Sequence, residues 1–109
     1  MDLNEYQELA LRTANPGKKG SPPIQLNWAL GVCGEAGEAA EIIKKHFYHG
    51  HPIDYDKLLS ECGDILWNLT ALANSVGFDL EQIALHNVEK LRNRYPEGFS
   101  EERSRNRDE

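Results

Sequence analysis

Glu35, Glu38 and Glu41 stand three residues apart in the stretch GEAGEAAE, and SECGDILWN repeats the arrangement with Glu61 and Asp64, followed a turn later by Asn68. On a helix this spacing stacks like charges along one stripe, at a cost on the order of a few tenths of a kcal/mol per pair. A single Glu-x-x-Glu is in most helices only a solvated face. Two such pairs bordering the apolar arcs of consecutive helices call for a neutralising partner, because partly buried carboxylates are costly unless paired or bound to a cation. Hard oxygen ligands without His or Cys select Mg²⁺ or Mn²⁺ over zinc, and Mg²⁺ keeps positions open for water and substrate phosphates. A di-iron carboxylate site needs Glu-x-x-His pairs. The residues three before His46, His49, His51 and His86 are Ile43, His46, Tyr48 and Ile83, so that signature is absent.

The elements that must carry these acids are helices, since the apolar spacing is helical along the chain and no β-branched alternation suggests a strand. A first helix is expected from Leu3 to Thr13, ending in the loop ANPGKKGSPP, whose Lys18 and Lys19 read as solvated. A second starts near Gln25, with Leu26, Ala29, Leu30, Cys33, Ala36, Ala40, Ile43 and Phe47 as its buried apolar face, and HGHP ends it. Asp54 suits the N-cap of a third, which carries Leu58, Leu59, Cys62, Ile65, Leu66, Leu69, Leu72, Ala73 and Val76 and stops at Gly77. Asp79 caps a fourth running to Tyr95. The expected fold is all-α, a four-helix bundle-like domain over residues 1–99. A charged tail, 100–109, follows as a disordered segment or interaction arm. If the second and third helices pack antiparallel, Glu35, Glu38, Glu61 and Asp64 converge between them, and the small residues Gly34, Ala36, Gly37, Ala39 and Gly63 let the helices, or a substrate, approach closely.

Twelve basic against eighteen acidic residues give a formal net charge of -6, which disfavours a nucleic-acid binder held by phosphate contacts. A phosphate substrate carried by a metal remains compatible with it. No apolar run approaches the roughly 20 residues that span a bilayer, and the acidic, amphipathic MDLNEYQEL does not read as a signal peptide, so the expected location is the cytoplasm. At 109 residues a single core is small, and burial by self-association is expected. Cys33 and Cys62 lack metal-ligand spacing and read as small buried hydrophobes.

In its motifs EAGE (Glu35, Glu38) and ECGD (Glu61, Asp64), embedded in LNWALGVCGEAGEAAEIIKK and LLSECGDILWNLTALA, the chain resembles the MazG-like nucleoside triphosphate pyrophosphohydrolases from about Gln25 to Tyr95. The resemblance implies an all-α domain that hydrolyses a nucleoside triphosphate to the monophosphate and pyrophosphate with Mg²⁺, from a site near a dimer interface, in a homodimer or homotetramer. It assigns Glu35, Glu38, Glu61 and Asp64 as metal ligands, with Glu38 or Glu41 free to orient or deprotonate the attacking water. NVEK on the fourth helix matches the family's Asn-x-x-Lys, so Asn87 and Lys90 contact substrate phosphates or sugar, and Arg94 either joins them or is a surface residue. By its own chemistry Asn87, a polar amide in an apolar stripe, is either a buried register device or a ligand contact. Asn27 and Trp28 occupy positions that help form the nucleotide pocket in similar proteins. Trp28 either stacks on a base or serves the core or a subunit contact, and Trp67 has the same two readings. Asn68 stands where many relatives have Tyr, so base preference does not transfer. His46, His49 and His51 cluster at a helix end, as exposed loop residues or an adventitious zinc site. The competing functional class is a non-catalytic oligomeric helical module whose acids hold a structural metal.

Overall fold

Side-chain caps set the starts of four of the five helices. In the computed structural model, which describes residues 1–17 and 22–107, α1 spans Leu3–Leu11, α2 Ile24–His49, α3 Tyr55–Ser75, α4 Leu80–Arg94 and α5 Glu101–Arg105. Carboxylates of Asp2, Asp54 and Asp79 accept the N–H groups of Glu5, Lys57 and Gln82 at 2.8, 3.0 and 2.7 Å. Each satisfies a donor that the first helical turn leaves without an internal partner. Pro23 precedes α2 instead, without a side-chain cap. Gly50 and Gly77 close α2 and α3 at φ 69° and 88°, in the left-handed region that glycine enters without steric cost. No strand occurs among the described residues, and the all-α expectation holds. Lys18 and Lys19, read from sequence as solvated loop residues, lie outside the described residues.

An antiparallel hairpin of α2 and α3 forms the body of the chain. α1 lies across α3 and α4 and is fixed by polar contacts. Trp67 Nε1 donates to the Ala10 carbonyl and to Thr13 Oγ1, both at 3.1 Å, and the Trp67 ring meets Trp28 edge to face at 5.1 Å. Gln7, buried in α1, clamps the α3–α4 turn from both sides. Its Nε2 donates to the Phe78 carbonyl at 3.3 Å, and its Oε1 accepts the Leu80 N–H at 2.7 Å. Asn4 does the same at Glu81, accepting its N–H at 3.3 Å and donating to its carboxylate at 3.1 Å.

The single chain does not close into a four-helix bundle. Its radius of gyration is 17.3 Å, against about 13 Å for a compact chain of this length. The reason is one of lengths: α2 has 26 residues and α3 has 21, while α1 and α4 offer 9 and 15 to cover them. The fully apolar core is correspondingly small, with Trp28, Ala71, Ala73 and Leu80 buried around a fully buried Thr70.

Two expectations are overturned. The α2 stripe expected to form the core, Leu26, Leu30, Cys33, Ala36, Ala40, Ile43 and Phe47, is exposed, with Phe47 at 73% and Leu30 at 63%. At about 100° per residue this stripe lies opposite Gly31, Glu35 and Ile42, which face α3. Cys33 and Cys62 are free and exposed rather than buried, because both lie outside the α2–α3 seam. At the charged end, Ser100 accepts the Arg103 N–H at 3.3 Å and opens α5. No helix among the described residues is long and apolar enough to cross a membrane.

Candidate metal centre

Gly31 and Asn68 set the distance between α2 and α3. A Cβ on Gly31 would stand 2.7 Å from Asn68 Cγ and closer still to its Oδ1, so only glycine admits the amide there. Asn68 is buried, and its Nδ2 donates to the Asp64 carbonyl at 2.9 Å, an i−4 bond along its own helix. By contrast, a Cβ added to Gly34, Gly37 or Gly63 meets nothing within 4 Å. Those three glycines therefore leave open space beside the acids instead of bringing the helices together, so of the two roles expected of them only close helix packing is overturned.

One turn beyond Gly31 on α2, and two turns before Asn68 on α3, the carboxylates meet. One oxygen each from Glu35, Glu38 and Glu61 lies within 4.8 Å of the others, and this is the one such group of potential metal ligands among the described residues. Glu61 is buried, Glu35 half-buried and Glu38 exposed. Oε2 of Glu35 and Oε2 of Glu61 are both out of contact with solvent and receive no hydrogen bond. Two ionised carboxylates cannot satisfy each other, since each only accepts. A proton shared between them is one solution. Accordingly, the pKa of Glu61 is raised to about 7, first by the Glu35 carboxylate with which it can share a proton, then by burial, then by Glu38. A cation is the other solution, and it relieves all three charges at once. The donor set fits a hard divalent ion: oxygen only, open on the Glu38 side, without imidazole or thiolate.

The remaining predicted residues separate into three kinds of position. Asp64 lies outside the three-carboxylate group; it is exposed and near enough to α1 that its charge, after burial, raises the pKa of the Tyr6 hydroxyl. Glu41 is exposed, with a 3.9 Å contact to Lys44. Such solvent-exposed pairs contribute little. Trp28 is buried against Trp67, and Asn68 is buried in the helix seam, so neither presents a face to a nucleotide in this chain. Asn27 is exposed near the start of α2, on a recess of about 420 Å³ that it shares with Asn15, Ile24 and Leu30. Asn87 and Lys90 are exposed and Arg94 half-buried on α4, which packs chiefly on α1 and not on the hairpin that carries the acids. Asn87 is thus no buried register device. His46 Nδ1 lies 2.8 Å from the His51 carbonyl oxygen, and the rings of His49 and His51 are 6.5 Å apart, a helix-end turn with no convergent ligand set among the described residues.

Sequence reading did not single out Gly31, Gln7 or Asn4. The signal for Gln7 was present, a polar residue between Tyr6 and Ala10 on the packed side of α1. Gly31 sits in LNWALGV as a glycine inside a helix, where it costs about 1 kcal/mol relative to alanine and therefore needs a packing reason.

The pattern of the MazG nucleotide pyrophosphohydrolase domain matches residues 25–99, which contain both acidic motifs and all of α2, α3 and α4 except Ile24. The chain belongs to the MazG family. A similar protein is the Gene 37 protein of Mycobacterium phage L5, 32% identical over 105 residues that cover 90% of this chain and 92% of the phage protein. No solved structure matches. In this MazG domain the matched segment begins one residue into α2 and ends at Phe99, just before α5, so α1 and α5 flank the family's pattern.

Proposed function

We propose that the chain hydrolyses a ribo- or deoxynucleoside triphosphate to the nucleoside monophosphate and pyrophosphate in a Mg²⁺-dependent reaction, removing or balancing nucleotides in the pool, with Mn²⁺ able to substitute. The observation that carries this reading is the meeting of Glu35, Glu38 and Glu61 with two buried carboxylate oxygens that have no donor. Membership of a nucleotide pyrophosphohydrolase family supports it. Glu35, Glu38 and Glu61 would hold the ion, and Asp64, one turn along α3, is the proposed fourth ligand. When bound, the ion neutralises phosphate charge and orients the anhydride, the main requirement of phosphoryl transfer.

The chain's own residues supply the rest. Attack of a water oxygen on phosphorus breaks the anhydride P–O bond, pyrophosphate leaves with the bonding electrons, and the water proton passes to a carboxylate. Glu38 is the better placed base, because it is the solvent-facing member of the group, whereas Glu41 lies outside it beside Lys44. Asn87, Lys90 and Arg94 contact the phosphates or sugar. Asn27 borders the recess proposed for the base; Trp28 and Asn68 are withdrawn from that role by their burial.

Self-association belongs to the same proposal. The exposed apolar stripe of α2 and the exposed Leu59 of α3 need a cover, and a second copy of the chain supplies the same stripe in return. A homodimer or homotetramer would also bring a neighbour's α4 toward the acids that its own α4 does not pack on. The deciding experiment is a panel of ribo- and deoxynucleoside triphosphates with Mg²⁺, with and without EDTA, resolving pyrophosphate from orthophosphate. Metal-dependent monophosphate plus pyrophosphate is the expected result. Orthophosphate release, or turnover untouched by EDTA, refutes the assignment.

A further inference from the structure

Trp67 ties the end of α1 to the α2–α3 hairpin at one point. Its indole N–H is shared between the Ala10 carbonyl and Thr13 Oγ1, both at 3.1 Å, and Thr13 Oγ1 itself donates to the same carbonyl at 3.0 Å. The Ala10 carbonyl belongs to the last turn of α1, whose acceptors lack the N–H groups of a following turn. On its other side the Trp67 ring meets Trp28 of α2 edge to face at 5.1 Å. This junction fixes where the chain leaves α1 relative to the start of α2. Just after Thr13, Asn15 and Gly17 form one wall of the recess of about 420 Å³ whose other wall is α2, with Ile24, Asn27 and Leu30. Asn15 Oδ1 accepts the Gly17 N–H at 2.9 Å, which leaves the Asn15 amide N–H groups to donate to a ligand. Gly17, at φ 89°, approaches α2 so closely that a Cβ there would stand 3.4 Å from Ile24. Neither tryptophan lines the recess.

We propose that Trp67 is a positioning residue for the nucleobase: without touching the ligand, it holds the end of α1 so that Asn15 and Gly17 stand opposite Asn27. That the recess takes a base rests on the nucleotide reading of the chain; the link from Trp67 to the recess wall rests on the two bonds of the indole N–H. Apolar walls with a carboxamide on each side suit a planar heteroaromatic ring whose edge both donates and accepts. Asn27 stands eight residues before Glu35, about 12 Å along α2, a separation that a nucleoside triphosphate spans from base to phosphates. The family's pattern begins at residue 25, so one wall of the recess comes from a segment outside it, and Trp67 is what joins that segment to the hairpin.

Calorimetric titration of the full chain in EDTA, with ribo- and deoxynucleoside monophosphates as probes, reads the recess apart from metal binding and from turnover. Trp67→Phe keeps an aromatic ring against Trp28 and removes the donor. The monophosphate that the wild type binds most tightly should bind about threefold or more weakly in this variant, with helicity unchanged. Thr13→Val removes one of the two acceptors without altering a core ring, and should give a smaller loss in the same direction. Ala73→Gly is the control: it weakens the fold through a buried position of α3 away from the recess, and should leave binding as in the wild type. On a triphosphate with Mg²⁺, Trp67→Phe should raise KM by the same factor while kcat stays within about twofold, since the acids are untouched. Absence of monophosphate binding in the wild type, or equal binding in wild type and Trp67→Phe, overturns the proposal. An equal loss in Ala73→Gly overturns it too, because the effect would then be one of stability. Trp67-dependent binding without turnover of any triphosphate would uphold the positioning role and refute the hydrolase reading; turnover with Trp67-independent binding does the reverse.

Discussion

Glu61 carries the sharpest conflict in the molecule, a buried carboxylate facing two others. Its pKa of about 7 in the folded chain, against an ordinary value of 4.5, means that the metal-free fold binds a proton more tightly than the unfolded chain does. That contribution to stability is fully present below about pH 4.5 and is lost as pH rises through about 7. The melting temperature in EDTA should therefore fall between about pH 5 and pH 8 from this group, and Glu61→Gln should flatten the fall; a profile identical in wild type and variant would exclude Glu61 as its source. Mg²⁺ competes with the same proton, so it should stabilise more at pH 8 than at pH 5.5. A saturating ligand at a hundredfold its Kd adds about 2.7 kcal/mol. Glu35→Gln and Glu61→Gln should abolish the Mg²⁺-dependent rise in melting temperature while leaving the metal-free protein as stable or more so, because each removes a like charge. Glu38→Gln should abolish turnover with the helical circular-dichroism signal intact, and retained activity would remove Glu38 from the site.

Between helices, the deciding position is a glycine. Gly31→Ala should destabilise by about 1–3 kcal/mol in urea unfolding, since the new methyl group collides with the Asn68 amide and the seam cannot widen without moving Glu35 away from Glu61. Gly34→Ala and Gly63→Ala enter open space and should stabilise by up to about 1 kcal/mol. If all three behave alike, close approach at Gly31 is not what sets the seam. The contrast shows where the sequence was legible. Asp54, Gly77 and Asp79 mark helix ends by local chemistry, and the structure places the ends there. The paired acidic spacing pointed to Glu35, Glu38 and Glu61, whose carboxylates the fold brings within 4.8 Å of one another, but not to the exclusion of Asp64, which the same spacing put beside them. Which stripe of α2 meets α3 was not legible, because that helix has two usable faces. The more apolar one, Leu26 to Phe47, is the one left outside, and a period alone does not rank a stripe of leucines below a seam built on Gly31, Glu35 and Ile42.

For the whole molecule, exposed apolar surface and extended shape point the same way. The radius of gyration of 17.3 Å belongs to a chain whose long hairpin is covered on one side only, by α1. Leu30, Phe47 and Leu59 are 63%, 73% and 73% exposed. Burying a Leu or Phe side chain contributes roughly 1.5–3 kcal/mol, so a two-fold pairing that covers these three on each copy supplies much of the stability that a 109-residue core lacks. Sedimentation equilibrium at micromolar concentration should accordingly report a dimer or tetramer, with melting temperature rising with protein concentration. Leu30→Glu and Phe47→Glu place a charge on the α2 stripe, away from the acids and the seam, and should shift the mass toward a single chain. If catalysis draws α4 from a neighbouring copy, these variants should lose turnover together with assembly, although every proposed ligand in the chain is intact. Monomeric variants with full activity would separate the two properties and confine the site to one chain, whereas a wild type that sediments as a monomer would leave the α2 stripe for a partner other than a second copy.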